Sequence, residues 1–314
     1  MTDALANLTS ARVALLMAGP TPEEERSSIS AFLAGASLEI SSRDPAEIDA
    51  CMDLLERGTA LYISFPPGQT YHGTAALAAR VAHCGFRPVP HFAARRIADR
   101  DALDDYLARA VGEAGVDRVL VIGGDNERPS GAFESSLALL ETGLFQRHGI
   151  AHVDVAGYPE GHPRIDPVAL DDALAAKKSL ALNAGLSLGI VTQFCFDADS
   201  VLSWAARVNA YGLPVRVGLA GPASLTRLLR FAAMCGIGNS VRALKARPGA
   251  ITRLMVEAGP ETALRQLARR AGAPLAGVHF FCFGGLIRTA RWLRAVREGR
   301  FELTEDGGFR VGAA

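Results

Sequence analysis

Eight short apolar or alternating segments recur along the chain, and stretches with helical periodicity separate them. This alternation is typical of βα units built around a parallel sheet. Several helical stretches run into a glycine, such as Gly85, Gly115, Gly212 and Gly236, and glycine commonly follows the end of a helix. Eight units within roughly 250 residues favour a closed (β/α)8, or TIM, barrel over an open sheet. The predicted strands are 36–40, 60–65, 87–91, 118–122, 152–156, 188–194, 215–219 and 278–283.

Two common nucleotide-binding signatures are missing from the sequence. No GxGxxG follows the first predicted strand and no GxxxxGKS/T occurs anywhere, so a Rossmann-type nucleotide domain is the weaker interpretation. A chain of 314 residues that is 49% hydrophobic can bury one large core, and we expect a single α/β domain. Its expected parts are an N-terminal helical extension over 1–35, a catalytic barrel over 36–303 and a frayed C-terminal tail over 304–314.

Charge and cysteine usage limit the possible partners. The 33 basic and 33 acidic side chains cancel, which leaves no electrostatic case for nucleic acid or an anionic membrane surface. Five scattered cysteines form no CxxC pair and indicate a reducing compartment rather than a disulfide scaffold. The apolar run 13–17 is too short to span a bilayer. The histidines show no HxH or HExxH spacing, so we expect a cytoplasmic protein without a metal site.

The first predicted strand carries a candidate acid. Period two places Ser37, Glu39 and Ser41 on the face opposite Leu38 and Ile40. If the apolar face meets the outer helices, Glu39 points into the barrel mouth, where functional groups of such barrels gather. Partial desolvation there favours the protonated carboxyl that a general acid needs. The alternative is a solvated glutamate at the end of a strand.

The fourth predicted strand runs directly into Gly123, Gly124 and Asp125. Two successive glycines let the backbone pass close to a ligand, and the carboxylate that follows can accept hydrogen bonds from ring nitrogens or hydroxyls. The alternative is an ordinary turn in which Asp125 caps the next helix.

The fifth predicted strand leads into the most specific string of the chain, the heptapeptide GYPEGHP at 157–163. Two prolines and two glycines in seven residues predict a rigid loop of unusual shape. Such a loop can present Tyr158, Glu160 and His162 to a planar cofactor. A well-formed turn with exposed polar tips is the alternative.

Further candidates follow other strands or lie on a helix. Alternation places Gln193 and Cys195 on one face, and a buried amide there suits a heteroaromatic ring, or else bonds to neighbouring backbone. His91 ends the third strand, where a histidine is more often a packed core residue than a ligand. Lys177 and Lys178 lie on an amphipathic stretch, from which they can reach a phosphate or simply face solvent.

Taken in order, the segments SLEI, PVPH, GGD, GYPEGHP, KK and TQFCFD resemble the methylenetetrahydrofolate reductase family of flavin-dependent barrels, over residues 37–288. The resemblance implies FAD at the top of the barrel and ping-pong hydride transfer. In that reaction reduced flavin converts 5,10-methylenetetrahydrofolate to 5-methyltetrahydrofolate, with NAD(P)H as a possible electron partner. The cofactor supplies the hydride chemistry and the protein supplies positioning and electrostatics.

The same resemblance implies residue roles. Glu39 corresponds to the acid that protonates N10 of the folate, and Asp125 to the aspartate that stabilises the cationic iminium. Gln193 corresponds to the glutamine that hydrogen-bonds the pterin. The implied substrate-binding residues are Asp125, Gln193, Phe281 and Arg288. The implied FAD-binding residues are His91, Gly123, Gly124, Asp125, Tyr158, His162, Asp171, Lys177 and Lys178.

Several positions depart from the family pattern. Gly123 stands where an arginine is frequent, and Phe281 and Gly285 replace a tyrosine and an arginine that help to hold the folate. We expect Arg288, one helical turn later, to substitute for the missing cation. The segment 238–249 lacks the phenylalanine that would stack on the folate or nicotinamide ring. These losses weaken the nicotinamide site most, which motivates the hypothesis of an oxidative direction in one-carbon catabolism.

Two other functions stay open at this point. One is a folate-binding barrel without redox activity that partners a methyltransferase. The other is an aldolase or lyase that uses Lys178 as a Schiff base, which its predicted position on a helix disfavours. The apolar stretch 225–234 suits a homodimer, although core packing explains it equally well.

Overall fold

A computed structural model describes residues 20–41, 46–66, 68–234, 257–272 and 274–312 of the chain. The strands are β1 Ser37–Ile40, β2 Ala60–Ile63, β3 Arg87–Ala93, β4 Arg118–Ile122, β5 His152–Gly157, β6 Ser187–Thr192, β7 Val215–Ala220, β8 Ala223–Ser224, β9 Glu257–Ala258, β10 Leu275–Phe281, β11 Phe301–Leu303 and β12 Phe309–Val311. Eight of them form a closed parallel barrel in the order β1-β10-β7-β6-β5-β4-β3-β2. The predicted (β/α)8 barrel and its eight strands are therefore confirmed.

Helices separate the strands and surround the barrel. They are α1 Pro22–Phe32, α2 Ala46–Ala50, α3 Tyr71–His83, α4 Arg100–Ala114, α5 Ser136–Glu141, α6 Leu144–Arg147, α7 Pro167–Asn183, α8 Ala198–Val208, α9 Leu225–Met234, α10 Glu261–Ala268 and α11 Leu286–Arg297. Their first residues follow from local capping chemistry, since Thr70, Asp99 and Asp166 each accept a hydrogen bond from a backbone amide in the first turn. Within the described ranges, none of these helices is both long and apolar enough to cross a bilayer.

The barrel strands divide their side chains between two cores. Leu38 and Ile40 of β1 join the large core between the strands and the outer helices. A separate small cluster, formed by Tyr62, Val89, Leu120 and Val191, fills the inside of the barrel. Each of the four comes from a different strand, as expected for layered packing in such barrels. The interior of the barrel is thus packed at the level of these four side chains.

The N-terminal helix α1 begins with a capping box between Thr21 and Glu24. On its inner side the buried Glu25 forms ion pairs with Arg265 and Arg269 of the α10 region. The predicted helical extension thus contains α1, while its residues 1–19 lie outside the described part of the chain.

The expectation of a frayed tail is wrong up to Gly312. Residues beyond α11 form an antiparallel hairpin of β11 and β12. Phe301 and Phe309 of the hairpin are buried, and the Phe309 ring stacks near Trp292. Arg265 donates hydrogen bonds to two backbone carbonyls of the hairpin turn. Two aromatic anchors and a cation held by these carbonyls explain why this short segment is ordered.

Helix α9, the stretch suggested as a dimer surface, buries apolar residues within its own chain. Leu225, Leu228 and Ala232 pack in one cluster with Phe194 and Phe196. Internal packing therefore accounts for these positions, and the homodimer stays a prediction.

Candidate active site

The Glu39 carboxylate lies at the carboxyl end of the barrel between two imidazoles. Its Oε2 is 3.8 Å from Nε2 of His91 on β3 and 3.7 Å from Nε2 of His279 on β10. Glu39 is partly exposed, with 21% of its side chain accessible, whereas the side chains of His91 and His279 are 6% and 0% accessible. Both Nε2 atoms are buried and have no hydrogen-bond partner in the described part of the chain. The mouth therefore presents a carboxyl group beside two unsatisfied ring nitrogens.

The charge of His91 is set by its burial. Burial lowers the pKa of His91 to about 4, although the nearby Glu39 carboxylate opposes this shift. The ring is therefore uncharged at neutral pH. The resemblance implies that His91 contacts the flavin, and the structure places its ring beside Glu39.

His279 is a site residue that sequence analysis missed. Its Nδ1 lies 3.0 Å from Oγ of Ser37, which is directly opposite in the neighbouring strand. The ring also packs edge-on against Tyr62 at a centroid distance of 4.6 Å. The only signal in the sequence was that His279 shares a strand face with Phe281, because the contact with Ser37 depends on barrel closure.

The loops after β4 and β5 meet at the same end of the barrel. Gly124 has φ +93°, and a Cβ there would lie 3.3 Å from Cβ of Ala93, so the site favours glycine. The exposed Asp125 carboxylate acts electrostatically on Tyr158 and His162 across the gap. Burial, with a smaller contribution from Asp125, raises the pKa of Tyr158 to about 12. The two strings singled out from the sequence are therefore neighbours in space.

The loop from β5 places its aromatic residues together. The rings of Tyr158 and His162 meet edge to face with centroids 5.0 Å apart. Nδ1 of His162 accepts a hydrogen bond from the backbone amide of Arg164. Burial lowers the pKa of His162, which favours the uncharged ring. This loop can present a phenol and a neutral imidazole to a ligand.

Arg96 is a second residue that sequence analysis missed. Its guanidinium donates to the carbonyls of Phe65 and Gln69 and lies 4.5 Å above the centre of the Phe65 ring. Burial lowers the pKa of Arg96, while Asp125 opposes the shift. The chain thus brings a cation near Asp125 from the end of β3, although Gly123 removes the one expected after β4.

Three predicted cofactor residues lie outside the barrel, on helix α7. Asp171 and Lys177 are partly buried there, and burial lowers the pKa of Lys177. Nζ of Lys178 sits 5.8 Å from the centre of the Tyr211 ring. The helical position of Lys178 is the one that disfavoured a Schiff-base role. The roles of these three residues stay predictions.

Gln193 and Phe281 lie where β6 and β10 end. Oε1 of Gln193 accepts a hydrogen bond from the backbone amide of Phe194, 3.1 Å away, which is the backbone interaction weighed as an alternative. Phe281 packs against the rings of Phe194 and Phe283. Together these rings form an apolar wall at the mouth, beside Gln193.

The position of Gly285 explains one departure from the family pattern. Its φ is +105°, a conformation that an arginine would adopt only with strain. Close to this glycine, an oxygen of Glu47 accepts a hydrogen bond from the backbone amide of Leu286. Arg288 follows as an exposed residue in the first turn of α11.

The polar and aromatic groups of the mouth suit a planar ligand such as a flavin. Unsatisfied buried nitrogens, the close backbone at Gly124 and the phenol and imidazole of the β5 loop are donors and surfaces that a planar heteroaromatic ring uses. This donor set fits an FAD group. Among the residues that the structure describes, no three histidine, cysteine or acidic side chains are grouped to hold a metal ion.

Comparison with known proteins gives a family match. A family model described as methylenetetrahydrofolate reductase matches residues 50–281. A 5,10-methylenetetrahydrofolate reductase from Pectobacterium carotovorum subsp. carotovorum is 28% identical over 158 residues, which are 49% of this chain and 50% of that protein. The match therefore spans about half the length of this curated relative.

Solved structures with similar backbones are more distant in sequence. A dihydropteroate synthase from Thermus thermophilus is 14% identical with a TM-score of 0.44, over 85% of this chain and 94% of that chain. A chitinase from Rhizomucor miehei is 12% identical with a TM-score of 0.48, over 85% of this chain and 100% of that chain.

Proposed function

Because the chain belongs to the methylenetetrahydrofolate reductase family, we propose that it interconverts 5,10-methylenetetrahydrofolate and 5-methyltetrahydrofolate by FAD-dependent hydride transfer. The observation that carries this proposal is the Glu39 carboxyl, which sits at the barrel mouth between two buried imidazoles. A proton donor at this end of the barrel is what ring opening of the folate requires.

Glu39 acts as the general acid in the reductive direction. As its O–H bond breaks, a bond from the proton to N10 of the folate forms. The bond between N10 and the methylene carbon then breaks with its electron pair on N10, and the N5 lone pair forms the C=N bond of a 5-iminium cation. The uncharged His91 ring places no positive charge beside the carboxyl, so it does not hold Glu39 in its ionised form. Asp125 supplies the negative charge that lowers the cost of the cation.

The remaining site residues bind and orient. Gln193 hydrogen-bonds the pterin, and Phe281 and Arg288 contact the folate. FAD, when bound, supplies the hydride in the reductive direction and accepts it in the oxidative one. The residues proposed to hold it are His91, Gly123, Gly124, Asp125, Tyr158, His162, Asp171, Lys177 and Lys178.

The physiological direction and partners are part of the same proposal. The departures at Gly123, Phe281 and Gly285, together with segment 238–249, favour the oxidative direction, with NAD(P)H as a weaker electron partner. Segment 238–249 lies outside the described residues. A cytoplasmic location and a homodimer or larger homo-oligomer are predictions from the sequence.

The visible spectrum and one half-reaction test the proposal. Purified protein should be yellow, and anaerobic mixing with 5-methyltetrahydrofolate should bleach the flavin absorbance. Bleaching by neither this folate nor NADH would refute the proposal in both directions. Colourless protein that binds folate without turnover would instead support the non-redox barrel.

A variant tests the role of Glu39 in the reductive direction. The substitution Glu39→Gln should slow reoxidation of reduced enzyme by 5,10-methylenetetrahydrofolate by roughly 10²- to 10⁴-fold, the usual contribution of general acid catalysis. Reduction of the flavin by NADH should stay within about two-fold of the wild type, since that step does not involve N10 of the folate. The exposed Glu56, changed to glutamine, is the matched control and should behave as the wild type.

A further inference from the structure

The unexplained feature of the mouth is the second imidazole. His279 is fully buried, yet its Nε2 has no hydrogen-bond partner in the described ranges. A buried nitrogen in this state costs free energy unless it serves a ligand or a charge that forms during the reaction. The nearest acidic oxygen is Oε2 of Glu39, at 3.7 Å, which is beyond hydrogen-bond distance.

Ser37 gives the ring a defined orientation. In the paired strands Ser37 stands opposite His279, and Glu39 stands opposite Phe281, so Glu39 and His279 share the inner face in adjacent layers. The Ser37 hydroxyl is fully buried and lies 3.0 Å from Nδ1 of the ring. Edge-on packing against Tyr62 restrains the same ring from another side. Turning Nε2 of the ring away from Glu39 would break the contact between Nδ1 and Ser37.

We propose that His279 is a positioning residue for Glu39, held by Ser37 in the Nε2–H tautomer. In this tautomer the Ser37 hydroxyl donates to Nδ1, and the hydrogen of the neutral ring is on Nε2, where it faces the carboxyl group. When Glu39 gives its proton to the folate, the electron pair stays on the carboxylate, and Nε2–H of His279 then donates to it. No proton leaves His279 in this step. The inference rests on the proposed function.

The other titratable groups around Glu39 are uncharged or already form a hydrogen bond with another residue. Tyr62 donates its hydroxyl to Asp154, at 2.6 Å, and burial raises its pKa. The low pKa of His91 keeps that ring neutral, and burial raises the pKa of the Cys282 thiol to about 12. His279 is thus the ring that a second side chain, Ser37, orients toward the carboxyl.

The tautomer can be measured without substrate or turnover. Histidine-selective ¹⁵N labelling of the full-length protein, with His279 assigned by its loss in His279→Leu, should show a neutral ring with the hydrogen on Nε2. In Ser37→Ala this preference should weaken. A ring with its hydrogen on Nδ1 in the wild type would overturn the proposal, whatever the enzyme's activity.

Kinetics give a second and separate test. His279→Leu should slow the folate half-reaction roughly ten- to a hundred-fold, as expected when a hydrogen bond to a charged group is lost. The alkaline limb of its pH profile should move to higher pH, because the carboxylate form of Glu39 is less stabilised. His279→Gln, which keeps an N–H near the position of Nε2, should recover part of the rate. Ser37→Ala should shift the limb in the same direction by a smaller amount.

The control is Ser64→Ala, since this hydroxyl also lies near the mouth but donates to the backbone carbonyl of Ile40. Its profile should match the wild type. If the wild type turns over folate and Glu39→Gln does not, but the limb stays fixed in His279→Leu and Ser37→Ala, only the role of His279 fails. If the wild type shows no folate half-reaction, the proposed function itself fails.

Discussion

The two ends of the barrel each hold a carboxylate, and the two differ in hydrogen bonding and in exposure to solvent. At the amino end, which we call the floor, Asp154 accepts a 2.6 Å hydrogen bond from Tyr62 and lies 3.8 Å from Nε of Arg118. At the mouth, Glu39 faces two imidazoles at 3.7 and 3.8 Å and is partly open to solvent. Asp154 at the floor accepts a hydrogen bond within the protein, whereas Glu39 at the mouth lies beyond hydrogen-bond distance of both imidazoles and is available for a ligand.

The surroundings of the floor support a structural role. Asp154 shares a small cavity of about 70 Å³ with Arg118, His152 and Arg216. Arg216 is fixed by a hydrogen bond to the carbonyl of Gly35. In barrels of this type the amino end contributes stability and the carboxyl end contributes function. The difference between the two carboxylates should therefore appear as a difference between stability and activity.

The largest expected effect on stability is at the floor. Asp154→Ala leaves the buried Tyr62 hydroxyl without its acceptor and removes the carboxylate 3.8 Å from Arg118, and should lower the free energy of unfolding by about 3 kcal/mol. Denaturant unfolding followed by circular dichroism measures this. The half-exposed pair of Arg87 and Asp117 is the control, and Asp117→Ala should cost about 1 kcal/mol or less.

At the mouth the same kind of change should spare the fold. Glu39→Ala should alter the free energy of unfolding by less than about 1 kcal/mol, since no close partner is lost. A loss at Glu39 as large as that at Asp154 would break the distinction between the two ends.

The second effect concerns the pH dependence of stability. The pKa of His91 is about 4 in the folded state and near 6.5 in the unfolded chain. Between these values the unfolded state binds a proton that the folded state does not, so stability falls as pH drops from 6.5 to 4. The contribution reaches about 3 kcal/mol at the acid end of this window.

Subtracting a variant isolates this term from other titrating groups. His91→Gln cannot take up the proton, so its unfolding free energy should depend less steeply on pH between 4 and 6.5. Parallel curves for the wild type and His91→Gln would contradict the prediction that the folded protein buries His91 as an uncharged ring.

The third effect separates a hydrogen bond to a charge from one to a neutral group. Tyr62→Phe removes the donor to the Asp154 carboxylate and should cost about 2 kcal/mol of stability. Tyr106→Phe is the matched control, because this buried hydroxyl donates to the neutral backbone carbonyl of His91 and should cost about 1 kcal/mol. Thermal or denaturant unfolding ranks the two, and equal losses would mean that Asp154 accepts no stronger a hydrogen bond than a backbone carbonyl does.

The barrel could be predicted from the sequence because the alternation of polar and apolar residues in each strand depends only on residues of that strand. Leu38 and Ile40 alternate with Ser37 and Glu39, and this period alone assigns the inner and outer faces of β1. The contact between Ser37 and His279 is different, since it joins the first and last barrel strands across 242 positions of the chain. Only closure of the barrel creates it, and no local pattern marks His279 within VHFF.

The role of Asp154 at the floor could not be predicted from the sequence for a related reason. Asp154 stands between two valines of β5, and the neighbouring Tyr62 and Arg118 come from two other strands. The ordered hairpin at the end of the chain could not be predicted either, because Phe301 and Phe309 anchor it through contacts with residues far away along the chain. The loops were easier, since the prolines and glycines of 157–163 restrict the backbone without help from distant residues.

The smallest effect is expected at the rim of the mouth. Arg288 lies exposed in the first turn of α11, where we expect it to attract the carboxylates of a folate in place of the arginine missing at Gly285. An exposed charge contributes about 1 kcal/mol or less, so Arg288→Ala should raise KM for the folate up to about five-fold while kcat stays unchanged. The effect should shrink at high salt, because screening weakens interactions between exposed charges. Arg291→Ala, on the same helix and also exposed, should leave KM unchanged. Equal effects of the two variants would mean that recognition at the mouth depends on overall charge and does not extend to a specific contact on α11.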